Sequence, residues 1–380
     1  STTNWNWHLT KKKSAHSKMS VKKYRLKNDS PHQVFGSEKD GAGDYVEKLK
    51  NTLKIEVQSM TDEEMVFDLI GVDVSIANAL RRILLAEVAT MAIENVYIWI
   101  NSSILHDEVL AHRIGLVPIQ ADPAKFEAFA PGDEPTDANT LVFRLDVKYQ
   151  RPEGAPDEPG FDREGRPCAR APTLAVAARA LEWMPQGAQG ERLADIGPVH
   201  GDILLAKLRP GQQITLEAHC RKGTGKDHAK YSPVATAAYR LLPKISFQRE
   251  VRDAEAEGLV ALCPMGVFDI EDLGEGRGKT ARVARPRDCT MCRECIRQEE
   301  HEDRLKLERV ADHFIFSVES VGVMPAKRIV KEAIQVLKNK CTEVLREIQL
   351  HEESTTANDE EDYAAGNEDE EEDTEMRNDS

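Results

Sequence analysis

The sequence has no hydrophobic run near the roughly 18 residues that a membrane-spanning helix needs. Its first residues are polar and rich in lysine, so they lack the apolar stretch of a secretion signal. We therefore expect a protein with no membrane contact that works in a reducing compartment. In that setting seven cysteines are expected to be metal ligands or free thiols, because disulfide frameworks form mainly in secreted proteins.

Catalytic motifs are also missing. The sequence contains no serine elbow, no HExxH and no cysteine–histidine motif, and its histidines lie in separate segments. The run GEGRGKT at 274–280 ends like a phosphate-binding loop, but the first glycine of that motif would fall at Leu273. We predict a flexible loop there, and the chain is not expected to be an enzyme.

Charge is unevenly distributed along the chain, whose formal net charge is -15. Residues 352–380 hold fourteen Asp or Glu and a single Arg, whereas residues 1–30 hold eight Lys or Arg and a single Asp. Segments of this composition bury too little apolar surface to order themselves. The sequence therefore predicts a disordered basic arm over 1–44 and a disordered acidic tail over 352–380.

Apolar periodicity predicts an α+β fold. Alternating residues predict a hairpin over about 50–70 with one buried face. Apolar residues spaced by three and four predict an amphipathic helix capped by Ser75, and a second, long helix opening at Pro325. Further strands are predicted at 96–100, 141–147, 203–208, 214–218 and 314–318. Because the two helical blocks flank a helix-poor stretch, we expect a discontinuous domain interrupted by an inserted β-rich domain.

Four cysteines have the spacing of metal ligands: Cys263, Cys289, Cys292 and Cys295. A C-x2-C-x2-C triplet plus a distant Cys-Pro matches the ligands of one [4Fe-4S] cluster in a ferredoxin-like fold. Zinc is the alternative, although its sites usually pair two C-x2-C knuckles, and a site without metal is the third. A second cluster is not predicted, since Glu299 stands where its Cys-Pro would lie. A lone cluster favours a structural or redox-sensing role over electron transfer.

The two predicted helices carry candidate interface residues. The last helix has a nearly continuous apolar stripe, which suits either its own domain or a second chain, and periodicity leaves these two uses about even. Arg81 and Arg82 lie among apolar residues of the first helix, where a carboxylate or another protein would satisfy them.

The segment NALRRILLAEVATMAIENVYIWINSSILHDEVLAHRIGLVPI at 78–119 resembles the signature of the alpha-like subunits of multisubunit RNA polymerases. Residues 182–189, 201–243 and CPMGVFDI at 263–270 resemble the larger alpha-like subunit that polymerases I and III share. The resemblance covers about 45–350. It implies a dimerisation domain built from 45–100 and 301–351, interrupted by an inserted domain over 101–300 with a ferredoxin-like cysteine insert at about 258–300.

The resemblance also implies the partners. The chain would pair with a smaller alpha-like subunit through its two helices and serve as the platform for the second-largest and largest subunits, beside other small polymerase subunits. It would act in the nucleus, including the nucleolus, with little or no sequence-specific nucleic-acid contact. The expected interface residues are Leu80, Arg81, Arg82, Ile83, Leu84, Arg113, Ile334, Leu337, Cys341 and Leu345.

Two alternatives remain at this point. One is a ferredoxin-like electron-transfer protein, which would need a donor or acceptor site. The other is the polymerase II paralogue, which carries zinc-binding cysteines soon after the segment that resembles RIGLVPI; residues 120–150 contain no cysteine here. Some archaeal relatives carry the insert with intact clusters, whereas many eukaryotic ones have lost the ligands. This chain keeps one full set.

Overall fold

The structure is a computed structural model that describes residues 42–375, except 131, 152, 155–157, 162–165, 171, 195, 275–277 and 298–303. For residues 42–46, 158–161, 167–170 and 352–375 it describes the backbone alone. Nearly all of the predicted basic arm lies outside these residues. The described helices are α1 Ala42–Thr52, α2 Val74–Ala86, α3 Asp107–Gly115, α4 Gln189–Arg192, α5 Asp253–Leu262 and α6 Ala326–Glu375.

The described strands follow in chain order: β1 Lys54–Met60, β2 Glu64–Ile70, β3 Thr90–Asn101, β4 Ile119–Gln120, β5 Leu141–Lys148, β6 Glu158–Phe161, β7 Pro167–Arg170, β8 Leu174–Ala177, β9 Glu182–Trp183, β10 Gly197–Pro198, β11 Leu204–Leu208, β12 Gln213–Gly223, β13 Val234–Phe247, β14 Phe268–Asp272, β15 Lys279–Val283 and β16 Leu305–Ser320. The chain divides into two compact units at residue 52, and α1 belongs to the first unit except for its last residue. All other elements lie in the second unit.

One antiparallel sheet joins the two ends of the second unit in the order β1-β2-β16-β13. The helices α2 and α6 pack together and against β2, β13 and β16. The core of this sheet contains the buried Phe67, Phe314 and Phe316. The rings of Phe67 and Phe316 stack with 5.1 Å between their centroids. We call this the discontinuous sheet. It confirms the mixed α/β fold, and it pairs strands from the two ends of the second unit, as a discontinuous domain requires.

The first hairpin matches the prediction on one strand only. Met65, Phe67 and Leu69 of β2 are buried, but every residue of β1 is exposed, with Ile55 and Val57 each 51% exposed. The reason is position: β1 is the edge strand, and the helices contact β2, β13 and β16 instead. The predicted buried face therefore ends at β2.

A second sheet has the order β3-β12-β5-β9 and packs on its own hydrophobic core. Alternate residues of β5 and β12, among them Phe143 and Leu216, point into this core, as the predicted alternation requires. Helix α3 covers it with Leu110 and Ile114, which are fully buried. The β11–β8 pair closes the core from another side.

Two strands do not belong to the sheet that the predicted domain boundaries imply. β3 falls in the predicted first part of the dimerisation domain but pairs with β12 of the second sheet. β13 falls in the predicted inserted domain but pairs with β16 of the discontinuous sheet. Periodicity shows that a strand exists and which residues share a face, but strand partners depend on residues far apart in sequence.

The cysteine segment, residues 248–304, connects β13 to β16. The end of β13 and the start of β16 pair through Phe247 and Leu305. It contains α5 and the β14–β15 hairpin, and its small core holds Val251, Leu259 and Phe268. The described residues of this segment form one helix, one hairpin and two short 3-10 turns. Its small core continues into the paired ends of β13 and β16, which join the segment to the discontinuous sheet.

The helix ends differ from the sequence predictions in two places. The side chain of Asp73 caps α2 by accepting from the Ser75 N–H at 2.8 Å, so Asp73 is the N-cap and Ser75 lies inside the helix. Helix α6 continues to Glu375, through most of the segment predicted to be a disordered tail. That stretch has no proline and is rich in glutamate, a good helix former, so nothing local ends the helix.

Candidate metal centre and partner surfaces

The fold brings the four predicted ligands to one small cavity. Cys263 follows the last turn of α5, Cys289 follows the 3-10 turn Pro286–Asp288, and Cys295 lies in the turn Glu294–Ile296. Apolar residues such as Val267, Phe268 and Leu307 of β16 line it beside the polar Thr290, Arg293 and Glu294. Cysteines separated by up to 32 positions in sequence therefore face a common space.

The backbone around the thiols has features of a thiolate site. Met291 and Arg293, between the cysteines of the triplet, have φ of 59° and 65°, which winds this short segment back on itself. Two backbone N–H groups point at sulfur: Val267 donates to Cys263 Sγ at 3.5 Å and Met291 to Cys289 Sγ at 3.4 Å. Such bonds help to stabilise negative charge on sulfur.

Burial differs among the four thiols. Cys289 and Cys295 are buried, Cys263 is half-buried, and Cys292 is exposed. Burial raises the pKa of Cys295 to about 11, with a further contribution from Cys289, Cys263 and Cys292. The thiols are thus close enough to oppose each other's ionisation, an effect that a bound cation reverses. All four are free of disulfide bonds.

The donor set fits a metal group of four thiolates in its chemistry. Among the described residues, however, no three His, Cys, Asp or Glu side chains are gathered so that they could hold a metal ion. All four cysteines line the cavity.

Two arginines attach the cysteine segment to the discontinuous sheet. Arg287, two residues before Cys289, binds Asp68 of β2 through two contacts of 2.6 Å. Arg240 of β13 donates to the Arg287 carbonyl at 2.7 Å and to the Cys289 carbonyl at 3.4 Å. Sequence analysis missed these anchors, because no local pattern links residues 219 positions apart.

Asp68 is the centre of this anchor and is 2% exposed. Besides Arg287 it contacts His313 Nε2 at 3.1 Å and accepts from Gln58 Nε2 at 3.2 Å. Burial alone would raise its pKa, but the hydrogen bonds and charges of Arg287 and His313 outweigh burial and lower it. Asp68 is therefore held ionised against the ribbon that carries the cysteines.

The interface residues predicted on α2 divide into two groups. Leu80, Ile83 and Leu84 are buried in this chain's own core, so the structure corrects the prediction that these side chains meet a partner. An amphipathic helix packs its single apolar stripe against the core of its own domain. Arg82 is exposed, while Arg81 is half-buried and donates to Asn78 Oδ1 at 3.1 and 2.9 Å.

The apolar stripe on α6 is buried in the first turns of the helix and exposed farther along it. Its first turns are in the core, with Ile329, Val330 and Ala333 buried. From Ile334 onward the stripe emerges: Leu337 is half-buried and Cys341 is exposed. The apolar residues that follow are about half exposed or more: Val344 59%, Leu345 60%, Ile348 50% and Leu350 51%. This distal part, from Ile334 to Leu350, is named the α6 stripe below.

The predicted interface residue Arg113 has an internal role. Its guanidinium donates to the carbonyls of Leu205 at 3.0 Å and Leu204 at 2.6 Å, which fixes α3 on β11. The side chain remains exposed.

His219 is held by Glu217 at 2.8 Å in the second sheet, far along the chain from the cysteine segment. The glycine-rich run at 274–280 falls partly outside the described residues. Among the described helices none is both long and apolar enough to cross a membrane.

Comparison with known proteins identifies the family. A family profile described as the RNA polymerase Rpb3/Rpb11 dimerisation domain matches residues 66–341. The chain is 47% identical over 306 residues to "DNA-directed RNA polymerases I and III subunit RPAC1" of Bos taurus, a match that covers 80% of this chain and 86% of the relative. The RPAC1 of Saccharomyces cerevisiae is 43% identical over 323 residues, covering 83% and 94%.

Similarity to polymerase II subunits is lower. "DNA-directed RNA polymerase II subunit rpb3" of Dictyostelium discoideum is 32% identical over 309 residues, covering 79% of this chain and 96% of the relative. The polymerase II paralogue and the electron-transfer protein are therefore not favoured. The chain belongs to the family of alpha-like RNA polymerase subunits with an Rpb3/Rpb11 dimerisation domain, in the RPAC1 group.

Proposed function

We propose that this chain is a non-catalytic assembly subunit of RNA polymerases I and III that forms a heterodimer with a smaller alpha-like subunit. The α6 stripe supports this most directly, because it leaves several large apolar side chains half exposed. The edge strand β1 leaves Ile55 and Val57 exposed as well. The RPAC1 relatives are named as subunits of polymerases I and III.

The heterodimer would then bind the second-largest and largest subunits, together with other small polymerase subunits. Exposed arginine at Arg82 and Arg113 supports protein contacts beyond the α6 stripe, because a guanidinium makes bidentate contacts with carboxylates. Subunits of polymerases I and III are nuclear, and we propose that this chain also enters the nucleolus. A fluorescent fusion imaged beside a nucleolar marker would test that location.

A single charge placed in the α6 stripe tests the heterodimer. Burying one leucine-sized side chain contributes about 1.5–3 kcal/mol, which corresponds to roughly 10–150-fold in affinity. We expect Leu345→Asp to weaken the binding of the smaller alpha-like subunit by at least about tenfold. The control is Asn339→Asp, which adds the same charge on the opposite face of α6. Equal affinity of the two variants in a titration would contradict the proposal, as would failure of the tagged chain to recover any alpha-like partner.

For the metal centre we propose a [4Fe-4S] cluster held by Cys263, Cys289, Cys292 and Cys295. In such a cluster each thiolate binds a different iron, so the sulfurs surround a volume instead of a point. The shared cavity and the two N–H bonds to sulfur support this choice. When bound, the cluster would supply a cross-link between α5 and the cysteine turns. This role is structural and needs no electron-transfer partner.

Anaerobic purification followed by iron, sulfide and zinc analysis tests the cluster. We expect about four irons per chain and broad visible absorption, both lost in Cys292→Ser. Cys341→Ser is the matched control, since Cys341 is exposed on α6, away from the cavity. A colourless protein with one zinc, or with no metal, would refute the proposal. Because metal binding couples to local folding, loss of the cluster should raise hydrogen exchange in the cysteine segment before the discontinuous sheet.

A further inference from the structure

Asp68 is buried on the face of the discontinuous sheet that meets the cysteine segment. Side chains of a strand alternate between its two faces, so Met65, Phe67 and Leu69, which are buried in the sheet's core, point the other way. The charge of Asp68 is met by Arg287, a residue of the cysteine segment 219 positions later. Burying a carboxylate is costly, so its place at this junction requires a reason.

Stability is not a sufficient reason for this ion pair. Removing two charges from water offsets most of their attraction, and apolar replacements of similar volume are often equally stable. What an arginine–carboxylate pair adds is a fixed direction, because its two parallel N–H bonds define one geometry. Arg287 Nη1 and Nη2 donate to Asp68 Oδ2 and Oδ1, both at 2.6 Å. The pair therefore fixes the orientation of Arg287 over β2.

A second arginine holds the backbone that leads into Cys289. Arg240 of β13 donates from Nη2 to the Arg287 carbonyl at 2.7 Å and from Nη1 to the Cys289 carbonyl at 3.4 Å. The turn Pro286–Asp288 also packs against β13. One guanidinium thus joins two alternate carbonyls, and together with the Asp68 pair it attaches this part of the chain to two strands of the sheet.

The carboxylate itself is held from three strands. His313 Nε2 of β16 lies 3.1 Å from Asp68 Oδ2, and Gln58 Nε2 of β1 donates to the same oxygen at 3.2 Å. Asp68 belongs to β2, which lies between β1 and β16 in the sheet. A site that is supported from rigid strands is more precise than one supported from loops.

The cysteine triplet needs such support more than Cys263 does. Its described residues form only two short 3-10 turns, without a strand or an α-helix. Cys263, by contrast, directly follows α5, and its N–H donates to the Val260 carbonyl at the end of that helix. The helix therefore places Cys263, whereas the position of the triplet depends on Arg240 and Arg287.

We propose that Asp68 and Arg240 are positioning residues of the metal centre. Through the Arg287 side chain and the carbonyls of Arg287 and Cys289, they hold the cysteine triplet facing Cys263, so that all four thiols bind one cluster. This inference rests on the proposed [4Fe-4S] cluster. Residues that orient metal ligands without touching the metal commonly contribute about 10–100-fold in metal affinity.

A chelator challenge of the anaerobically purified full chain tests the positioning role. Asp68→Asn keeps the size of the side chain but loses the charge that orients Arg287. We expect the iron chelator bathophenanthroline disulfonate to bleach its visible absorption at least about tenfold faster than that of the parent protein. The matched control is Asp269→Asn, since Asp269 makes a two-contact pair with Arg285 inside the cysteine segment but both side chains are about half exposed. Its bleaching rate should stay within about twofold of the parent rate.

A core variant separates positioning from a general loss of stability. Met65→Ala leaves a cavity in the same strand without touching the Asp68 contacts. It should lower the urea midpoint, yet below that midpoint its bleaching rate should stay within about twofold of the parent rate. The EPR spectrum of the dithionite-reduced cluster should change in Asp68→Asn and not in Met65→Ala, because only the first variant alters the geometry of the ligands.

Arginine variants test the other contacts. Arg240→Met should bleach as fast as Asp68→Asn, because methionine fills space but has no N–H donor. Arg287→Lys should bleach more slowly than Arg287→Ala, since lysine keeps the charge that faces Asp68.

Equal bleaching rates for Asp68→Asn and Asp269→Asn would overturn the inference, as would a Met65→Ala rate as fast as that of Asp68→Asn. Either result in a parent protein that carries about four irons counts against the positioning role alone. A parent protein without iron overturns the proposed cluster, and the positioning role with it.

Discussion

Arg287→Ala should destabilise the discontinuous sheet although Arg287 belongs to the cysteine segment. The substitution leaves the Asp68 carboxylate, 2% exposed, with His313 and Gln58 as its remaining partners. Removing one partner of a buried pair costs about 3–5 kcal/mol, whereas exposed pairs contribute about 0–1 kcal/mol. Because the Arg287 side chain is 30% exposed, we place the expected loss between these limits, at about 2–3 kcal/mol.

The sign of the pH dependence follows from Asp68. Its pKa in the folded chain lies below the ordinary value of 3.8, so its contribution to stability is present above that value and is lost as pH falls through the lower, folded pKa. Without Arg287 the burial effect is less opposed, and the folded pKa should rise. Arg287→Ala should therefore unfold at a higher pH during acid titration than the parent protein.

Urea unfolding of the full chain, followed by circular dichroism at neutral pH, measures the loss. The matched control is Arg285→Ala, since Arg285 makes a similar two-contact pair with Asp269 but both side chains are about half exposed. We expect the control to unfold at nearly the parent midpoint, and Arg287→Lys to fall between, because lysine keeps the charge but loses the paired geometry. Equal midpoints for Arg287→Ala and Arg285→Ala would refute the reasoning.

Two further predictions concern the space around two glycines and the ion pair between Asp122 and Arg328 of α6. Gly225→Ala should destabilise the chain in the same urea assay, because its Cβ would lie 2.4 Å from the Leu85 oxygen, whereas Gly258→Ala, with open space inside α5, should stabilise it by about 0.5–1 kcal/mol. Asp122 pairs with Arg328 at 2.6 Å and caps the Ala124 N–H at 3.0 Å. Asp122→Ala should therefore cost more than Asp122→Asn, which keeps the cap, by about 0.5–2 kcal/mol; equal costs would assign the whole effect to the ion pair.

Sequence patterns predicted those parts of the fold that depend on neighbouring residues. Alternation gave the strands around Phe143, Leu216 and Phe316, and ligand spacing gave the four cysteines that share one cavity. Helix α3 was missed because it has only nine residues, of which Leu110 and Ile114 are the buried ones, a pattern too short to separate from a loop. Strand β13 was missed because Pro243 interrupts it at an irregularity of its pairing with β16.

Pairings between distant residues could not be predicted in the same way. The Asp68–Arg287 pair and the contact of Arg240 with the Cys289 carbonyl arise only when separate elements fold together, and neither leaves a local signal. Burial on α2 shows the same limit. Leu80 and Leu84 were correctly placed on one apolar face, but which protein covers that face depends on the sheet beneath it.

The last helix shows how one uninterrupted pattern acquires two uses. Ile329 and Ile334 belong to the same apolar stripe, yet the first is fully buried and the second is 44% exposed. The helix contacts β2 and β16 of the discontinuous sheet. Farther along α6, Lys340 pairs with Glu87 at the end of α2. A helix that keeps its apolar stripe after leaving its own sheet gains nothing from it as a monomer, because exposed apolar area is unfavourable in water. The stripe beyond Ile334 is therefore the part of α6 that the proposed partner chain would cover, whereas the stripe before it is explained by the fold.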